Sequence, residues 1–231
     1  MEAKEHQGKT LKYLAIEPDG YDPNRRYPMI ILLHGFGSHM GDLADLTPAI
    51  DSTGYVYICP NAPLAVQLGP GMVGYAWTPP GGAGSPEDAQ NADEMLATLF
   101  EEVMEQYQVE PWNIILGGFS QGGMMTYRVG LTAPDTFRGL LVLSARVSDP
   151  DALRAQLPSE RTQPIFISHG LVDEMISVED GQKSLAFLES EGYKPEYHEY
   201  NMGHAIIQEV LDDIVPWVQR VLPPLRTETG D

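Results

Sequence analysis

Five short, nearly continuous apolar runs constrain this chain more than any other feature: Met29–Leu33, Tyr55–Cys59, Ile114–Leu116, Leu140–Leu143 and Pro164–Ile167. Runs of this length without polar alternation read as strands covered on both faces. Helical patterns fall between them. From Glu87 to Tyr107, the residues Ala92, Met95, Leu96, Leu99, Val103 and Tyr107 share one helical face, and Val178–Ser190 and Ile206–Leu222 are also helix-like. Pro48 limits a shorter helix within residues 41–50, and Pro216 is expected to kink or divide the last one. Residues 10–17 read as an edge strand, and 193–200 extend before the final helix. The alternation, with no repeat and no internal linker, predicts an α/β fold: one domain over residues 1–231, a mostly parallel central sheet, helices on both faces, and a short polar tail after about 223.

One segment breaks the pattern. Residues 60–86 carry Pro60, Pro63, Pro70, Pro79, Pro80 and Pro86 among several glycines, which excludes a long regular element. A connection of this length in a compact domain is usually functional or disordered. Tyr75 and Trp77 within it favour an ordered loop covering a pocket.

The acidic balance narrows the partners. With 33 acidic against 14 basic residues, the net charge of -19 repels phosphate backbones and anionic membrane surfaces, so a neutral or weakly charged small molecule is the expected ligand and nucleic acid is not. Screening should relieve the self-repulsion. Tm is therefore expected to rise from dilute buffer to moderate NaCl, and a flat salt titration would remove any reading of the acidity as adaptation to salt. The opening MEAKEHQGKT has no apolar stretch of the signal-peptide kind, and no run approaches a membrane span, so the cytoplasm is the expected compartment. The single cysteine, Cys59, excludes an intrachain disulfide and reads as a core residue.

The chemistry centres on ILGGFSQGG, residues 115–123. Gly118 and Gly122 flank Ser120 two residues away on either side, after an apolar strand and before a plausible helix, which is the context of a nucleophile elbow. A serine hydroxyl needs an adjacent base, and the base an orienting acid. Three histidines follow in the chain. His204 lies between the last strand and the terminal helix and is the expected base; His198 sits within a strand, and His169 belongs to the turn supporting the acid. Asp173, just beyond Ile165–Ile167, is the expected acid, with Glu174 its nearest rival and Asp149 and Asp151 less well placed. The oxyanion donors are expected to be the backbone N–H groups of Gln121 and, from the loop HGFG, of Phe36; His34 reads as structural. Tyr75, Trp77, Phe119 and Met175 are the candidate apolar wall of the substrate pocket. No dinucleotide or phosphate-loop pattern and no metal-ligand spacing is present, so neither cofactor nor metal is expected.

HGFG at 34–37, GFSQGG at 118–123, HGLVD at 169–173 and MGH at 202–204 together resemble the phospholipase/carboxylesterase family of α/β-hydrolases over residues 28–222. The resemblance implies Ser120 as nucleophile, Asp173 as acid and His204 as base, with Phe36 and Gln121 as oxyanion donors. It implies hydrolysis of carboxylic esters, lysophospholipids or acyl thioesters without a cofactor, and it leaves a homodimer open, since some members pair. SHMGD after HGFG, and the GPGMVGYAWTPPGG portion of the long loop, depart from the acyl-protein thioesterase pattern. These departures favour a carboxylesterase acting on soluble short- to medium-chain esters. A lysophospholipase or acyl-protein thioesterase is the alternative, and a catalytically inactive binding module the lesser one. Dienelactone hydrolysis through a cysteine is disfavoured because Cys59 lacks an elbow.

Overall fold

The computed structural model describes residues 1–79 and 86–226; the stretch 80–85 of the expected cover and the tail from 227 lie outside the described residues. Ten strands are present among the described residues: β1 (Glu2–Gln7), β2 (Lys12–Glu17), β3 (Met29–Leu33), β4 (Val56–Pro60), β5 (Leu64–Gly69), β6 (Met72–Ala76), β7 (Ile114–Phe119), β8 (Gly139–Leu143), β9 (Ile165–Gly170) and β10 (Glu196–Tyr200). The helices are α1 (Thr47–Ile50), α2 (Pro86–Tyr107), α3 (Gln121–Met125), α4 (Pro150–Arg154), α5 (Val178–Ser190) and α6 (Gln208–Val221). Eight strands form one sheet in the order β1-β2-β4-β3-β7-β8-β9-β10. From β4 to β10 along this order every pairing is parallel; β2 pairs antiparallel with both β1 and β4 and is the one strand of this sheet that runs against the others. This is an α/β-hydrolase fold with helices on both faces.

The period of two along the strands builds the two cores. In β3, Met29, Ile31 and Leu33 point to one side, where Leu96, Leu99 and Val103 of α2, Met125 of α3 and Leu188 of α5 pack. Ile30 and Leu32 point to the other, against Ile50 of α1 and Val210, Ile214 and Trp217 of α6. Strands β3, β4, β8 and β9 are buried at every position, as the apolar runs of β3, β4 and β8 require; β9 also buries Ser168 and His169.

Three local expectations are revised. Residues 12–17 are not an edge, because Glu2–Gln7 pairs outside them; EAKEHQ has no apolar face, and its charges remain at the rim, where they discourage further pairing. The segment expected to lack regular structure holds the β5–β6 hairpin. Its prolines and glycines punctuate that hairpin: Pro63 precedes β5, and Pro70 and Gly71, the latter at φ 75°, make the turn. Finally, α6 runs continuously through Pro216.

Candidate active site

Strands β3, β4, β7, β9 and β10 run parallel, so the loops that leave their carboxyl ends gather on one edge of the sheet. Ser120 leaves β7 there at φ 55° and ψ -119°, outside the regions a non-glycine residue prefers, at a cost of about 1–3 kcal/mol. Its N–H is held by Leu143 O at 2.9 Å. The neighbouring glycines make the turn possible. A Cβ on Gly118 would stand 2.3 Å from Gly122 O, and one on Gly122 only 1.9 Å from Leu33 O, so neither position accepts a side chain.

The loop after β3 lies against the same serine: a Cβ on Gly35 would be 3.3 Å from Ser120 Cβ. Phe36, next in the chain, is exposed. The hairpin secures this loop, with Gly37 N–H donating to Tyr75 O and Tyr75 N–H to Ser38 O, both at 2.8 Å. Gly74 permits the approach, since any Cβ there would meet Gly37 O at 2.0 Å. His34 is saturated within the wall. Its Nε2 accepts from Ala62 N–H at 3.0 Å, so Nδ1 carries the proton and donates to Gly35 O at 2.7 Å; burial lowers its pKa.

Across the edge, His204 Nδ1 lies 2.7 Å from Asp173 Oδ2. The other carboxylate oxygen accepts from Met175 N–H at 2.9 Å and Ile176 N–H at 3.0 Å, which fixes the plane of the group. Burial pushes the Asp173 carboxyl up, but the Ile176 N–H, His204 and the Met175 N–H outweigh it and hold it below the usual carboxylate range. A depressed carboxylate contributes stability above its ordinary pKa of ~4, and loses that contribution as pH falls through the lowered folded value. His169 buttresses the turn: Nε2–H donates to Ile176 O at 2.8 Å. Phe119 joins the two halves of the edge, its ring 4.7 Å from that of His204. Among the described residues no hydrogen bond links the Ser120 hydroxyl to His204, a link that often tightens only with substrate.

The rivals fall elsewhere. Glu174 is exposed, Asp149 caps α4 by accepting from Ala152 N–H, and Asp151 pairs with Arg154. His198 stacks on Phe166 in the edge strand β10. Cys59 is enclosed in β4, and burial pushes its thiol pKa up. Of the pocket residues, Phe119 and Met175 border the Asp173–His204 pair, whereas Trp77 is wholly enclosed and presents no surface to a substrate. Its indole N–H donates to His34 O at 2.9 Å, so it anchors the hairpin from below.

One functional contribution escaped the sequence reading: the Gln121 side chain. Its Oε1 accepts from Trp77 N–H at 2.8 Å, and its Nε2 donates to Thr78 O at 2.9 Å, clamping the end of the hairpin to the elbow. Its position immediately after the serine was the available signal, but drew attention only to its backbone N–H.

A serine on a strained strand-to-helix turn, beside a buried carboxylate–histidine pair on the sheet's carboxyl edge, defines the class as serine hydrolases of the α/β-hydrolase fold. Residues 20–222 match the family model Phospholipase/Carboxylesterase, and the chain belongs to that family. It is an enzyme with esterase or thioesterase activity on acyl esters. It is 28% identical to acyl-protein thioesterase 1 of Mycosarcoma maydis over 93% of this chain and 98% of that one. With carboxylesterase SOBER1 of Arabidopsis thaliana it shares 33% identity over 72% and 77% of the two chains. The solved structure of esterase PE8 superposes with a TM-score of 0.80 at 26% identity, covering 92% of this chain and all of that one. Among the described residues no helix is long and apolar enough to cross a membrane.

Proposed function

We propose that Ser120 attacks the acyl carbonyl while His204 Nε2 takes its proton, with Asp173 holding the imidazole and the N–H groups of Phe36 and Gln121 receiving the oxyanion. The leaving alcohol or thiol departs with the proton from His204. Water, deprotonated by the same histidine, then releases the carboxylic acid and restores Ser120. The observation that carries this reading is the 2.7 Å hydrogen bond that His204 Nδ1–H donates to Asp173 Oδ2, which leaves Nε2 as the acceptor.

For the substrate, we propose an acyl ester or thioester with a medium to long chain. Eight large hydrophobic side chains are exposed among the described residues, and seven belong to this edge: Phe36 after β3, Leu68, Met72 and Val73 on the hairpin, and Leu171, Val172 and Met175 around Asp173. Such a rim offers apolar surface to an acyl chain longer than the catalytic residues need. The near end-to-end similarity to acyl-protein thioesterase 1 supports the same choice. Preference for soluble short- to medium-chain esters is the second reading, supported by the departures in SHMGD and the hairpin sequence.

An acyl series from acetyl to palmitoyl, as matched oxygen esters and thioesters below their aggregation limits, separates the two. Each methylene buried on the rim is worth up to ~0.8 kcal/mol, about fourfold in kcat/KM. A rise continuing beyond octanoyl is expected. A maximum at acetyl or butyryl would return the assignment to the small-ester reading without disturbing the roles of Ser120, Asp173 and His204.

A further inference from the structure

The eighth exposed large hydrophobic residue, Trp112, lies at the opposite end of the sheet, just before β7. It occupies a turn closed by Asn113 N–H to Glu110 O at 3.1 Å. Pro111 presets the first corner of that turn. The second corner, Trp112 itself, has φ 69°, where glycine or asparagine is the usual residue. A bulky side chain there strains the backbone, and with 42% of its surface exposed it stands outside both hydrophobic clusters. Neither turn formation nor packing accounts for a tryptophan.

Trp112 borders an open surface pocket of about 570 Å³. The cavity lies where β8, β9 and β10 begin and α6 ends, with Trp217 in its wall. Gly139 lets α6 pack closely on the start of β8, since a Cβ on it would stand 2.8 Å from Val221 Cγ1 and 3.1 Å from the Trp217 ring. Three cationic side chains, Arg138, Lys194 and Arg220, reach the same cavity. Arg220 is paired with Glu196 at 2.6 Å. Among the described residues no carboxylate lies within ion-pair distance of Arg138 or Lys194, although the chain has 33 acidic residues to 14 basic ones. Two uncompensated cations beside a strained, exposed indole are unexpected on so acidic a protein.

We infer that this cavity binds a small organic anion bearing a flat ring, its carboxylate or phosphate drawn to Arg138 and Lys194 and its ring lying against Trp112. The site is independent of the catalytic edge. Adenosine monophosphate and benzoate, titrated separately at low ionic strength with tryptophan emission as the signal, probe the two anionic groups; adenosine and inorganic phosphate supply the ring and the charge alone. Saturable quenching by at least one of the two anions is expected, with Kd weakened roughly tenfold or more in the Arg138→Ala/Lys194→Ala variant. The same quenching should persist in Ser120→Ala, which separates this cavity from binding at the catalytic edge. Retained ester hydrolysis by the charge variant checks its fold, because neither side chain is near Ser120. Absence of saturable quenching by both anions, or an unchanged Kd in the charge variant, would overturn the inference.

Discussion

Ser120→Ala is expected to lower kcat by about five to six orders of magnitude, measured on any ester the parent enzyme turns over. The loss is large because the residues act as a unit. Without the Ser120 hydroxyl, the polarised histidine has no nucleophile to activate, and only oxyanion stabilisation and substrate positioning remain. Folding should be little affected. The Ser120 side chain makes no capping hydrogen bond at α3, and the turn is held by backbone contacts: Ser120 N–H to Leu143 O and Met124 N–H to Ser120 O. Circular dichroism and thermal melting should therefore show a protein close to the parent, with Tm moved by no more than a few degrees. A Ser120→Ala protein that melted normally and turned over at the parent rate would exclude Ser120 as nucleophile.

Asp173→Asn should cost about three to four orders of magnitude in kcat while preserving the outline of the site. The direction follows from the hydrogen bonds around the carboxylate. Met175 and Ile176 both donate N–H to Oδ1, so an asparagine must keep its carbonyl oxygen on that side. Its NH2 group then faces His204 Nδ1, where Oδ2 now stands at 2.7 Å. The imidazole must accept at Nδ1 and carry its proton on Nε2, the wrong tautomer to receive the proton of Ser120. KM should change far less than kcat, because Asp173 is buried and offers little surface to substrate. An Asp173→Asn enzyme within tenfold of the parent kcat would assign the orienting role to another group.

The fold was legible wherever one physical demand dominated. Strands such as Met29–Leu33 are apolar at every position because both faces are buried, and no other element of that length makes the demand. Ser120 was legible for a related reason: a Cβ at Gly118 or Gly122 has nowhere to go, so the constraint is written in residue identity. Strand β1 was not, since its pairing is made by the backbone while Glu2 and Glu5 reach into solvent, Lys4 pairs with Glu17, and no apolar pattern is left. The hairpin was obscured because Pro63, Pro70 and Gly71 read as breakers of a long element when they instead delimit two short strands. Trp77 was expected to meet substrate because large aromatic residues in loops often do. Its bond to His34 O, and the clamp on its N–H by Gln121, are long-range contacts that no local pattern announces. The same holds for the rim: Leu171 and Val172 look like core residues in sequence, and only the fold leaves them in water beside Asp173.

Reaction with a fluorophosphonate, followed by intact-mass and peptide mass spectrometry, tests most directly whether Ser120 is an activated nucleophile. The predicted result is one adduct per chain, located on Ser120, formed in step with loss of esterase activity and absent from Ser120→Ala. An adduct on a different residue, or ester hydrolysis that continues unchanged once Ser120 is fully modified, would contradict it.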